Sequence, residues 1–291
     1  MLSETQPSTT LQIAGWPVRL SCQPDKLQSA VSRRFSAYAS TDSPNALAVS
    51  IALLDTEMDA GPHLVLSSAI TFEHNLFRVE ADGLSGWVDL PLNRAAFTMR
   101  SATPVAEVEY LLRVLLAIVA QRDGGMLLHA AGLVLERKAV LFFGASGSGK
   151  STVVSLSRRA AVLSDDLVVV RPPAEPQQDS RWLAHPTPFW NGDVKRSYSD
   201  LTPAPVSAAY RLVQDRDVYL EPISRGKAVA ELAASCPVVN GIPGILGRVM
   251  QTCSDFAQTV PVQRLHFRQD ASFWRLVHPG LLSGGDHRAN G

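Results

Sequence analysis

The run Gly144-Ala145-Ser146-Gly147-Ser148-Gly149-Lys150-Ser151-Thr152 satisfies every fixed position of the pattern G-x-x-x-x-G-K-[ST]. Glycines let a backbone curl until successive N–H groups point inward at phosphate oxygens, and a helix that follows adds its positive end. In such a loop Lys150 reaches the β- and γ-phosphates and the Ser151 hydroxyl ligates Mg²⁺. A short distance further on stand two adjacent acids, Asp165 and Asp166. Beside a triphosphate, one carboxylate can hold Mg²⁺, directly or through water, and the other can accept a proton from an attacking hydroxyl. Two neighbouring acids at a buried strand edge call for a cation. His129, in Leu127-Leu128-His129-Ala130-Ala131-Gly132, precedes the loop. Taken alone, a histidine on a strand reads as a satisfied core or edge residue.

These groups need elements to carry them. Residues 139–143 form a continuous apolar run, as in a strand buried on both faces, and residues 150–160 read as a helix without proline or interior glycine. Residues 126–135 and 139–143, joined by a turn at 136–138, read as a hairpin that delivers the chain into the loop. The acids sit between an apolar lead-in at 161–164 and a β-branched strand at 167–170, expected beside the loop strand.

Before the hairpin, strands are expected at 11–22 (a hairpin), 46–54, 63–70, 77–80 and 86–90. Helices are expected at 25–39, with Asp25 near its cap, and at 105–120. After the acids come a proline-rich stretch at 171–180, an aromatic loop at 185–193, strands at 210–213, 218–220 and 263–267, and helices at 224–234 and 245–259. Phe273 and Trp274 are expected to complete a core, and residues 281–291 to fray. The division this gives is an α+β N-terminal region at 1–104, a catalytic α/β domain at 105–280 and a tail at 281–291.

Composition narrows the classes. The chain has 291 residues, 46% of them hydrophobic, with 27 basic and 27 acidic side chains balancing to zero. That is enough to bury a core, and it offers no broad electrostatic footprint for nucleic acid. Cys22, Cys236 and Cys253 lie far apart and read as buried free thiols of a reducing compartment. The N-terminus has no basic-then-apolar secretory pattern, and Glu107, Glu109 and Arg113 break up the most apolar segment, so no membrane partner is expected and the location reads as cytoplasmic.

Together, His129, the loop ending at Lys150-Ser151-Thr152 and the close-following Asp165-Asp166 resemble the HPr kinase/phosphorylase-like P-loop kinases, a branch sharing its nucleotide-site architecture with phosphoenolpyruvate carboxykinase. The resemblance is strong over 127–170 and loose over the rest of the C-terminal half. It extends to smaller HPr-kinase-related serine kinases, including those acting on lasso-type precursor peptides, which carry a comparable LHAA…GxSGxGKST…LSDD arrangement and a T-P-F-W stretch like that at Thr187–Trp190. The resemblance implies a P-loop kinase core using ATP and Mg²⁺. His129 would face the transferred phosphoryl group, and Lys150 and Ser151 would hold phosphate and metal. Asp165 and Asp166 would supply the base and a metal-side carboxylate, with the division between them open.

Thr152 stands where bifunctional HPr kinases have glutamate, and the glycine-rich signature after the aspartates is missing, so HPr is not the expected acceptor. The acceptor is a hydroxyl, of serine in a peptide or protein or of a small molecule such as an amino acid or sugar. A nucleotide-binding regulatory protein without transfer is the rival, and a homo-oligomer stays open. The aromatics at 189–190 either wall a pocket, with Thr187 at the acceptor, or anchor their loop to the core. Pro222, Arg225 and Lys227 read as a solvated helix start. Leu282-Ser283-Gly284-Gly285-Asp286 imitates a transporter-ATPase signature but lacks the strand that should follow it.

Overall fold

The computed structural model describes residues 7–55, 70–172, 181–190 and 202–278, and within them two sheets and six α-helices make a mixed α/β fold. The chain divides into two units. One comprises Met1–Leu127, Thr187–Phe189 and Cys236–Val249, and the other Leu128–Pro186, Trp190–Ser235 and Met250–Gly291.

The first unit opens with β1 (Thr9–Ile13) and β2 (Trp16–Gln23), the expected hairpin. Its turn, Ala14-Gly15, has φ of 52° and 83°, the left-handed pair whose twist matches that of the flanking strands. Along β2 alternate residues Trp16, Val18, Leu20 and Cys22 are buried, so one face of the strand belongs to the core. Helix α1 (Asp25–Arg34) stops short of the expected 39 because Ser36–Tyr38 winds into a 3₁₀ turn. Asp25 lies in its first turn, and the cap position is Pro24. Then follow β3 (Leu47–Asp55), β4 (Ile70–Glu73), β5 (Leu76–Ala81), β6 (Leu84–Asp89), β7 (Arg94–Arg100) and α2 (Pro104–Arg122). The expected strand at 63–70 lies outside the described residues except for Ile70.

Strand β7 is one the sequence reading missed. Its Ala95, Phe97 and Met99 are buried in alternation, a period-two signal made faint by two alanines. The sheet runs β1-β2-β3-β7-β6-β5-β4, parallel where β3 meets β2 and β7 and antiparallel elsewhere. Pro104 starts α2, where a missing N–H costs nothing, and Val108, Leu111, Leu112, Leu115 and Leu116 make it the core helix expected. No helix among the described residues is long and apolar enough to cross a membrane.

The second unit is built on β8 (Met126–Leu135), whose first two residues count with the first unit, and β9 (Lys138–Phe143), joined by Glu136-Arg137 with φ of 47° and 63°. The hairpin is as expected, with Lys138 already in the second strand. After the loop come α3 (Lys150–Leu156), β10 (Ala161–Ser164), β11 (Leu167–Arg171), β12 (Leu183–His185), β13 (Ala204–Gln214), β14 (Tyr219–Pro222), α4 (Arg225–Ala234), α5 (Leu246–Thr259), of which residues 246–249 count with the first unit, β15 (Val262–Phe267) and α6 (Trp274–Val277).

Helix α3 is shorter than the expected 150–160. The Ser157 hydroxyl turns back to the Val153 carbonyl and also accepts from the Trp274 indole N–H at 3.2 Å, closing the helix there. Strand β12 is not among the expected elements, and only its last residue, His185, falls in the loop expected at 185–193; β13 is much longer than expected, and most of the 171–180 stretch, all of 191–193 and the tail lie outside the described residues.

Strand β9 is buried almost throughout, antiparallel to β8 and parallel to β13, which is itself parallel to β15. Phe143 pairs with Arg211, and Gln214 with Phe267, so the C-terminal ends of three parallel strands meet at the edge where the loop leaves the sheet. Val153 and Val154 of α3 pack with Phe142, Tyr210, Leu265 and Phe273, fixing the loop's exit to the same sheet. The Phe142 ring meets those of Phe273 and Trp274 edge-on at 6.0 and 5.9 Å, so these two residues complete a core as expected.

Candidate phosphate-loop site

The loop's shape follows from its glycines. Gly149, with φ of 105°, is the last residue before α3, and a Cβ there would stand 2.5 Å from Cζ of buried Phe267. Gly144, with φ of 155°, is also in backbone that side chains rarely adopt, and a Cβ there would be 2.8 Å from the tips of Arg211 and Ser148, which would have to shift. Both positions favour glycine because the backbone turns where side chains are strained, and at Gly149 the space is also taken by a buried ring.

Lys150 is 6% exposed and curls over the loop, its Nζ donating to the carbonyls of Gly144 at 2.9 Å and Ala145 at 3.1 Å. Burial holds its pKa below the ordinary lysine value, opposed by the negative Asp166 and helped by the positive Arg211. A carboxylate and a second cation therefore share this lysine's surroundings. Ser151 and Thr152 begin α3, Ser151 exposed and Thr152 half-buried. The Ser148 hydroxyl is buried and has no hydrogen-bond partner among the described residues.

Asp165 and Asp166 occupy the bend between β10 and β11, 4% and 5% exposed. The Ser164 hydroxyl fixes this bend by accepting from the backbone N–H groups of Asp166 and Leu167, each at 3.1 Å. Their strand does not lie directly against β9 as expected. β11 neighbours β8 and β12, so the acids arrive one strand further over, beyond the histidine's strand. That detour brings His129 to them: its Nε2 stands 3.4 Å from Asp166 Oδ1. The lysine, the acid and the histidine named from sequence thus form one chain of neighbours, Lys150 to Asp166 by charge and Asp166 to His129 by contact. Among the described residues no three histidine, cysteine or acidic side chains form a metal-binding group by themselves.

Two contributors escaped the sequence reading. Arg211, at the Phe143 register on β13, points a guanidinium at the loop's first glycine and donates to the Leu212 carbonyl at 2.7 Å. Gln214 Nε2 donates to the Gly147 carbonyl at 2.8 Å, tying the loop to the end of β13. Their signal was the polar interruption of an apolar strand near its end, but only the parallel pairing of β13 with β9 gives it meaning. His185, paired with Val169 across β11 and β12, is buried and its Nε2 has no partner among the described residues. Burial, with Arg171 adding to it, lowers its pKa to about 4, so it is neutral at pH 7.

The remaining residues named from sequence have contacts of their own. Thr187 and Phe189 are fully buried in the first unit. There Arg34 donates to the Pro188 carbonyl at 3.2 Å, and the Arg113 guanidinium lies 5.0 Å from the Phe189 ring centroid. Of the two readings of this stretch, Phe189 fits the anchoring one. Arg225 is spent on Ser254 and Gln258, and Lys227 stands 4.0 Å from Glu221, as expected of a helix start in solvent. All three cysteines are buried, and none is in a disulfide.

Against known proteins, no curated protein matches the chain. Residues 99–282, more than half its length, match the family described as SynChlorMet cassette protein ScmC. The match begins in β7 and takes in the whole glycine loop at 144–152, His129 and both aspartates. The chain belongs to the SynChlorMet cassette protein ScmC family.

Proposed function

We propose that this protein is an ATP- and Mg²⁺-dependent kinase with a P-loop core of the HPr kinase type, transferring the γ-phosphoryl group to a hydroxyl, in the first instance a serine of a peptide or protein. The observation that carries the reading is the convergence of three sequence-distant features in one unit: a glycine-shaped loop with a buried lysine, a buried acid whose charge acts on that lysine, and a histidine on that acid. The donor set fits a hard divalent cation. Ser151 and Asp166 offer oxygen ligands, and the site retains an unanswered Ser148 hydroxyl and a pair of buried acids suited to polar ligands. Mg²⁺ there supplies charge neutralisation for the phosphates.

In the proposed reaction the acceptor oxygen attacks the γ-phosphorus. A new O–P bond forms, the bond to the β,γ-bridging oxygen breaks, and ADP departs with that electron pair. Asp166, shared between Lys150 and His129, takes the metal side, which leaves Asp165 to receive the acceptor's proton. Lys150 releases its own loop carbonyls to meet phosphate, and Arg211 adds a second positive charge beside the loop's first residue, offsetting charge spread over the transferred group. The buried setting of these groups strengthens each interaction relative to water.

The test is label transfer from γ-labelled ATP with Mg²⁺ into serine peptides, free serine, sugars and a host lysate. Label entering one acceptor with the unmodified protein and not with Asp165→Asn is the expected result. ATP binding without transfer to any acceptor, unchanged in Asp165→Asn and Asp166→Asn, would move the protein to the regulatory class.

A further inference from the structure

A cavity in the first unit, sharing no residue with the phosphate loop, is built like a ligand site. It holds about 270 Å³, room for one aromatic or branched aliphatic side chain. Phe72, Phe77, Ile118 and Ile245 supply apolar walls, the two phenylalanine rings lying 4.4 Å apart. The hairpin turn His74-Asn75, with φ of 51° and 64°, sets those rings on adjacent strands, and Asn75 also lines the space.

Two polar groups interrupt this lining. Gln121 is only 7% exposed; its Nε2 donates to the Gly125 carbonyl at 3.1 Å, while its Oε1 has no partner among the described residues. Arg248 is exposed at the rim and makes no ion pair among the described residues, whereas the neighbouring Arg122 is held by Asp123 at 2.7 Å. A buried acceptor without a donor is rare in a finished core and asks for an N–H or O–H from outside. An uncommitted guanidinium at the mouth asks for an anion, and it suits a planar carboxylate best.

We propose that this cavity binds an N-acylated hydrophobic amino acid by its free carboxylate, the chemistry shared by a small acyl amino acid and by the C-terminal residue of a peptide. The side chain enters between Phe72, Phe77 and Ile118, the amide N–H donates to Gln121 Oε1, and the carboxylate lies on Arg248. This assignment does not depend on the phosphate loop being catalytic.

The test titrates the full-length protein with N-acetyl-L-phenylalanine, its carboxamide, its N-methyl derivative and a short peptide ending in phenylalanine, followed by calorimetry. Saturable binding of the acid is expected, with about tenfold loss for the carboxamide and for the N-methyl compound, each missing one polar contact. Arg248→Gln, an exposed change that leaves folding intact, should lower acid affinity to that of the carboxamide and leave the carboxamide unaffected. Ile118→Trp should block both by filling the chamber. A peptide binding more tightly than acetyl-phenylalanine identifies a chain terminus as the source, and equal affinity identifies the small molecule. Equal binding of acid and carboxamide to the unmodified protein, an Arg248→Gln protein with undiminished acid affinity, or no saturable binding of either acid or peptide overturns the proposal.

Discussion

Replacing Gly149 with alanine tests whether the glycine loop before α3 is shaped by space as much as by backbone freedom. The residue sits at φ of 105°, and its new methyl would meet Phe267 Cζ at 2.5 Å, well inside contact distance. Holding an L-residue in left-handed backbone costs roughly 1–2 kcal/mol. Forcing an extra methyl into filled space costs roughly 1–3 kcal/mol more, and Phe267 has little freedom to yield, being 1% exposed with Phe273 edge-on at 6.0 Å. Gly149→Ala should therefore lose about 2–5 kcal/mol of stability in urea denaturation of the full chain. It should also lose nucleotide affinity, because the loop shifts away from the ring.

The two contributions separate in a double-mutant cycle. Phe267→Leu removes the ring carbon that clashes and leaves the backbone strain, so in the alanine background it should recover most of the packing share. A coupling of about 1–3 kcal/mol between the two sites is expected. Additive single effects, or a Gly149→Ala protein within about 0.5 kcal/mol of the original, would refute the reasoning.

Four other outcomes follow. Lys150→Met should leave folding intact, since a partly desolvated charge is replaced by an apolar chain of similar length, while phosphoryl transfer falls by about 10²–10³ for one positioned charge; stability and rate measured on one sample separate the effects. His185 makes the second unit acid-sensitive. Above pH 6.5 folded and unfolded chains both hold it neutral, and between 6.5 and about 4 only the unfolded chain takes the proton. Stability is then lost as pH falls through that window, by up to about 3 kcal/mol, and His185→Phe should flatten the slope of urea midpoints between pH 7 and 4. Cys22, whose thiol burial pushes up to about 12, should resist iodoacetamide at pH 8 until the protein unfolds, as read by mass spectrometry. His129→Asn should spare ATP affinity, measured by calorimetry, and slow transfer, because the histidine touches Asp166 and none of the loop carbonyls that Lys150 holds.

The glycine loop between β9 and α3, its feeding hairpin and the placement of the acids were legible because each is local: the glycine spacing, the apolar run of β9 and the Asp-Asp bend are written within a few residues. The same holds for α2 and the hairpin of β1 and β2. What stayed hidden depends on pairing across long separations. No pattern near residue 211 announces that β13 runs parallel to β9, yet that register is what puts Arg211 against Gly144 and Gln214 against Gly147. Strand β7 was lost for a different reason. Alanines at 95 and 96 dilute an alternation that its burial displays clearly. Helix α3 was overextended because helix propensity sees nothing to stop it, whereas the stop comes from Ser157 and a tryptophan far along the chain.

The chain crosses between its two units more than once, since Thr187–Phe189 and Cys236–Val249 belong with the N-terminal residues. Neither unit is therefore a continuous stretch of gene. A fragment ending near residue 127 would lack Pro188 and Phe189, leaving the Arg34 and Arg113 guanidinium groups without the carbonyl and ring they engage. A fragment starting at residue 128 would carry two segments whose packing partners had been cut away. Expression libraries built by truncation should thus yield soluble material mainly from near full-length clones, and a functional split of this protein calls for breakpoints inside exposed turns with both pieces supplied together.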